Sequence, residues 1–261
     1  MIDSIYAINN LSPGEKERIY KILIPHEVFL RYQIDPDTLR GNDGERLVRI
    51  HCTSGLYFMR IELKRKLDDR DPVFSLDLSD TRSHQIELSF IIINDVESER
   101  FNIDIDDEGR DTYFGTYRRN LKEEERAMKA GLGPGQVRKG LRMIGKFFPR
   151  MEEFVTRLDK KLYVLEPLTY HSTLFYEKYG FGYSRGRRYM EEIHQGFSPG
   201  GIPYNRLDDS SPFRRRGAEK TFRGRSWAIH DGILGKPWEP PTMFKTLGKH
   251  AAVCTFPDGL Y

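Results

Sequence analysis

Strict alternation of apolar and polar residues, repeated across several segments between Leu47 and Asp106, constrains this chain more than any other feature. Leu47–Cys52 and Leu56–Leu63 carry it, as do Val73–Leu78 and Phe101–Asp106, and Gln85–Phe90 continues into Ile91-Ile92-Ile93. In an extended chain, successive side chains point to opposite faces. These segments therefore predict a mostly antiparallel sheet with one buried face and one wet face. Thr53-Ser54-Gly55 predicts a hairpin between the first two, and Asp107-Glu108-Gly109 a turn after the last. The wet face also explains a local charge excess: Glu62 to Asp111 holds 15 acidic and 7 basic residues.

Helical signals flank the alternating stretch. Ser12-Pro13-Gly14-Glu15 combines an N-cap, an early proline and a capping-box glutamate, predicting a helix from Ser12 to about Gln33 with a break or kink at Pro25. A short helix is expected from Glu123 to Ala130, ended by Gly131. Helical spacing of Val137, Leu141, Ile144 and Phe148 predicts a second helix resuming at Gln136, with a kink or restart at Pro149 and continuation over Met151–Leu158. Leu162–Leu165 reads as a buried strand, Tyr170–Tyr179 as a helix stopped by Gly180, and Tyr183–Ile193 as a strand or a helix. From Gln195 the chain is rich in Gly, Pro and Arg. Phe197, Phe213, Phe222, Trp227 and Trp238 along it argue that this tail packs onto the domain.

The expectation is a single domain over residues 1–261, α+β or α/β. Residues 1–115 form its helix-plus-strand half, 116–190 a second half, and 191–261 a wrapping tail. Two cysteines cannot staple a secreted scaffold of this size. The first residues lack a signal-peptide pattern, and no apolar run reaches the ~18 residues of a membrane span. A cytoplasmic protein that does not enter a membrane is expected. The formal net charge is only +3, yet Arg118–Lys161 holds 13 basic against 6 acidic residues and Phe181–Arg225 holds 10 against 5. An anionic ligand would be sought in that second half.

Two motifs fall there. Gly131-Leu132-Gly133-Pro134-Gly135 is a glycine-rich loop leading into the helix expected at Gln136. Free amides at such a start attract phosphate, and Arg138 and Lys139 in the first turn oppose the helix dipole unless an anion neutralises them. The second motif is Thr173-Leu174-Phe175-Tyr176-Glu177-Lys178-Tyr179-Gly180-Phe181. It resembles the end of the acyl-CoA N-acyltransferase fold of the Gcn5-related N-acetyltransferases, where Phe-Tyr-Glu-Lys-x-Gly-Phe closes a helix beside the acyl donor. The order of glycine loop, basic helix, strand, short helix and Gly-Phe agrees over Gly131–Tyr183. Of the family's Arg/Gln-x-x-Gly-x-Gly/Ala pattern, Val137–Arg142 carries the fourth-position glycine, Gly140, and neither end.

The resemblance implies transfer of an acyl group from acyl-CoA or acetyl-CoA to an amine or hydroxyl of a small-molecule acceptor or acyl carrier. It also implies that the amides of Gly133, Gly135, Gln136, Val137, Arg138, Lys139, Gly140 and Leu141 hold the pyrophosphate. Tyr176 would then protonate the departing thiolate. His171 and His230 are the candidate bases.

Other readings stay open. One is a non-catalytic relative of that fold. Another is a metal-dependent enzyme using His171, His194 and His230 with Glu166, Glu191 and Asp231, although the chain has no His-Glu-x-x-His and no metal ligand is assigned. A nucleic-acid-binding protein would use Arg185, Arg187, Arg188, Arg214, Arg215, Arg216, Arg223 and Arg225.

Overall fold

The computed structural model describes residues 2–113, 115 and 117–260. Helices α1 (Ile5–Asn9), α2 (Pro13–Tyr20) and α3 (His26–Arg31) precede strands β1 (Val48–His51), β2 (Phe58–Leu63), β3 (Phe74–Asp80) and β4 (Ile86–Ile93). Helices α4 (Leu121–Lys129) and α5 (Ile144–Arg157) follow, then β5 (Leu162–Leu165), α6 (Tyr170–Lys178), β6 (Gly182–Arg185) and α7 (Arg187–Gly196). The last are α8 (Ile202–Asn205), α9 (Phe222–His230) and β7 (Thr242–Thr246). The class is α+β with mostly antiparallel strand pairing.

The chain divides into two compact units. The first takes in Met1–Ser98, Gly140–Leu165 and Phe244–Lys249, and the second Glu99–Lys139, Glu166–Met243 and His250–Tyr261.

In the first unit the strands are ordered β1-β2-β3-β4-β5, with β7 beside β5. β1 to β4 form an antiparallel meander in which Ile50 opposes Ile61, Ile61 opposes Leu76 and Leu76 opposes Ile91. β5 runs parallel to β4, pairing Tyr163 with Ile86. Parallel neighbours need a crossover, and α5 lies within it. The apolar stripe of α5 is buried through Phe147, Phe148, Met151, Phe154 and Val155. Phe147 meets Phe74 at 6.2 Å between ring centroids, and Phe154 meets Tyr20 at 6.1 Å.

The helix expected over Ser12–Gln33 is three pieces: α2, a 3-10 turn at Lys21–Leu23, and α3. Pro25 has no amide to continue the ladder, and Ile24 before it is extended with ψ 123°. The Ser12–Glu15 capping box is present.

In the second unit, Trp227 anchors a cluster of Phe101, Ile103, Ala127, Leu132, Val137 and Phe213, and its indole N–H donates to the Leu132 carbonyl at 2.8 Å. A second cluster gathers Tyr170, Leu174, Met190, Phe197, Phe222 and Phe256 with their neighbours. β6 lies beside the Thr242 end of β7, where the Ser184 hydroxyl donates to the Thr242 carbonyl.

The strand expected over Phe101–Asp106 does not form; the segment is a turn with an isolated Ile105–Asp111 bridge. Phe101 and Ile103 bury into the Trp227 cluster, while the Glu123 carboxylate accepts the Asn102 amide and Arg100 holds the Asn102 and Asp104 side chains. Side-chain bonding replaces a ladder there. Tyr183–Ile193 divides between β6 and α7, turned at Gly186, whose φ of 91° suits glycine.

Candidate functional site

The glycine loop lies in the second unit through Lys139, whereas Gly140 and Leu141 lie in the first. The helix expected at Gln136 begins at Ile144, so Arg138 and Lys139 are not in its first turn. The cause is local bonding. The Gln136 side-chain oxygen accepts the Gly133 amide at 2.6 Å, and the Gln136 amide donates to the Gly133 carbonyl at 3.2 Å. Gly135, at φ 83°, closes that turn. Val137 is buried and accepts the Phe101 amide. Of the amides expected to bind phosphate, that of Gly133 is thus spent within the loop on the Gln136 side chain.

The chain from Asn94 to Gly140 nevertheless returns to its starting point. Asn94 and Gly140 form an antiparallel bridge, and the Leu141 amide donates to the Ile93 carbonyl at 3.0 Å. Within the first unit, β4 therefore leads through Leu141-Arg142-Met143 into α5. That helix start has no side-chain cap and no acidic residue in its first turn. Arg142, at φ 58°, Gly145 and Lys146 are exposed around it, and Lys146 is 3.3 Å from Glu27. Arg142-Met143-Ile144-Gly145 supplies the first and fourth positions of the Arg/Gln-x-x-Gly-x-Gly/Ala pattern, with Phe147 at the sixth.

Tyr176, on α6, packs its ring against Phe181 at 5.1 Å and Phe175 at 5.9 Å, and burial pushes its phenol well above the usual range. The next residue, Glu177, is a buried carboxylate accepting from the Thr255 amide and hydroxyl and from the Tyr183 hydroxyl.

The two candidate histidines sit in different surroundings of the second unit. His171 Nδ1 lies 2.9 Å from the Ser226 hydroxyl and 3.0 Å from that of Thr169. Its ring covers Gly133, where a Cβ would come within 2.5 Å of it. Burial, and secondarily the charge of Arg223, lower its pKa to about 3. His171 is thus a neutral hydrogen-bonding hub at neutral pH and a weak base.

His230, at the end of α9, places Nε2 3.2 Å from Glu124. Burial works to raise the pKa of Glu124, which is 2% exposed, but bonds from His230 and Arg119 hold it below the usual carboxylate range. Arg119 also bonds Asp231 at 2.7 Å, and Arg214 meets the other oxygen of Asp231 at 2.8 Å. Glu124, distant in sequence, orients His230; the adjacent Asp231 instead gathers arginines.

His194 Nδ1 contacts Arg225 at 3.1 Å. His171, His194 and His230 thus have separate partners. Among the described residues no group of three or more His, Cys, Asp or Glu is placed to hold a metal ion, and no helix is long and apolar enough to cross a membrane. Several arginines considered for nucleic acid are paired with carboxylates: Arg185 with Glu166, Arg187 with Glu191, Arg188 with Glu192 and Arg216 with Asp209. No family model, no curated protein and no solved structure matches the chain.

Proposed function

We propose that this protein binds an acyl-CoA, such as acetyl-CoA, and belongs among acyltransferase-like proteins that pass the acyl group to an amine or hydroxyl acceptor. One observation carries the reading: the parallel β4–β5 pair is crossed by α5, whose uncapped, basic N-terminus follows β4 directly once the chain returns at the Asn94–Gly140 bridge. Amides at a helix start and a guanidinium such as Arg142 suit a pyrophosphate. In transfer, the acceptor nitrogen or oxygen attacks the thioester carbon and the C–S bond breaks. The departing thiolate takes a proton from solvent, and the acceptor's proton passes to solvent.

Calorimetry and thermal shift with coenzyme A and acetyl-CoA test the reading. Ligand at a hundredfold excess over Kd should stabilise the protein by about 2.7 kcal/mol, and Arg142→Glu should weaken binding by about tenfold or more. Absence of binding at millimolar ligand overturns the proposal. A non-catalytic binding role is the second reading, favoured by the lowered pKa of His171. Binding of acetyl-CoA without turnover of any amine or hydroxyl acceptor would support it.

A further inference from the structure

Arg225 is the anomaly of the second unit. It projects from α9 into the cluster of Tyr170, Phe197, Phe222 and Phe256 and is only 4% exposed. Buried guanidinium groups are ordinarily matched by a carboxylate, because desolvating an uncompensated charge is costly. Arg225 has no carboxylate partner among the described residues. Its Nε donates to the Glu219 carbonyl at 2.6 Å, and its Nη1 contacts His194 Nδ1 at 3.1 Å and the Tyr170 hydroxyl at 3.5 Å. All three acceptors are neutral. The nearby Glu219 carboxylate is turned to the Gly217 amide at 2.8 Å.

The surroundings hold the group rigidly. Thr221 caps α9 by accepting the Gly224 amide, and at Gly224 a Cβ would lie 2.5 Å from the Ala218 carbonyl. Only glycine lets the first turn of α9 approach the Ala218–Lys220 turn closely, and that approach brings Nε onto Glu219. The Phe256 ring lies 3.4 Å below the guanidinium carbon, with Phe197 at 5.0 Å. Cation–π contact returns part of the desolvation cost but supplies no counter-charge. Nη2 is left without a hydrogen bond among the described residues, and it is not sealed from solvent.

We infer that Arg225 is the anchor of an anion-binding site, whose ligand presents one oxyanion group, a carboxylate or a phosphate, to Nη2. The fork is fixed on three sides by Glu219, His194 and Phe256, so the remaining edge is preorganised for an acceptor with a full negative charge. His194 must accept through Nδ1, which leaves its Nε2 as the ring's N–H. This inference is independent of the acyl-CoA reading, since it concerns the α9 cluster and not the start of α5.

The test uses the full chain and three sodium salts, acetate, phosphate and chloride, at fixed ionic strength and pH 7. Thermal stability of the wild-type protein should rise saturably with acetate or with phosphate and not with chloride; whichever works identifies the oxyanion class. Arg225→Lys keeps the charge but loses the planar fork, and should weaken the apparent affinity by about tenfold. Arg225→Met should abolish the saturable response. No saturable response of the wild-type protein to either oxyanion overturns the inference, as does a response that Arg225→Lys leaves unchanged. Both of those outcomes can be read even if Arg225→Met does not fold. Binding of coenzyme A would survive Arg225→Lys, so this inference and the acyl-CoA reading fail separately.

Discussion

At the scale of single residues, the chemistry lies in contacts between positions far apart in sequence. His171 could be singled out as a titratable group, but its character comes from Ser226 and from the bare backbone at Gly133, neither of which sequence spacing connects to it. The same is true of Glu124 and His230, 106 positions apart. His171 has a measurable consequence. Its pKa falls from 6.5 to about 3 on folding, so below pH 6.5 the unfolded chain takes up a proton that the folded chain refuses. Its contribution to stability is complete above pH 6.5 and declines as pH falls, by about 1.4 kcal/mol per unit until about pH 3. Urea denaturation between pH 7 and pH 4 should show this loss, and His171→Gln should flatten it by close to one proton. An unchanged slope in the variant would show that other groups control acid unfolding.

At the scale of elements, local signals were legible where they were self-sufficient. Four alternating segments became β1 to β4, the Leu162–Leu165 strand and the Tyr170 helix formed as expected, and the Ser12 capping box closed. Replacing Ser12 by Ala should cost about 1 kcal/mol, read as a lower urea midpoint with unchanged m-value; a change under ~0.3 kcal/mol would show that Glu15 and Pro13 suffice. Two expectations went the other way for one physical reason. Phe101–Asp106 has the period of a strand, but its apolar residues are consumed by the Trp227 cluster and its amides by side chains. The helix expected at Gln136 gives way to a turn that Gln136 itself closes on Gly133. Periodicity reports which residues are buried, and it is silent on what the backbone pairs with.

At the scale of the whole molecule, alternation called for a mostly antiparallel sheet and left α+β and α/β both open, and the class that forms is α+β; the two compact units are not marked in the sequence. Each unit is assembled from three separate stretches of chain, and no composition shift marks the crossings. The segment 250–261 belongs to the second unit only. It supplies Thr255, which bonds the buried Glu177 carboxylate twice, and Phe256, which lies beneath Arg225. Removing residues 250–261 would strip a buried carboxylate of two donors and a buried guanidinium of its closest ring. The second unit should lose at least about 3 kcal/mol, the scale of a large core truncation. Both tryptophans of the chain, Trp227 and Trp238, lie in that unit, so fluorescence reports its unfolding selectively. Amide exchange in β3, whose residues Phe74 to Asp77 are buried in the first unit, reports the other. The truncated chain should show a fluorescence midpoint moved to lower urea while β3 amides stay protected. Equal loss in both signals would mean that the units unfold as one, and that their separate cores do not confer separate stability.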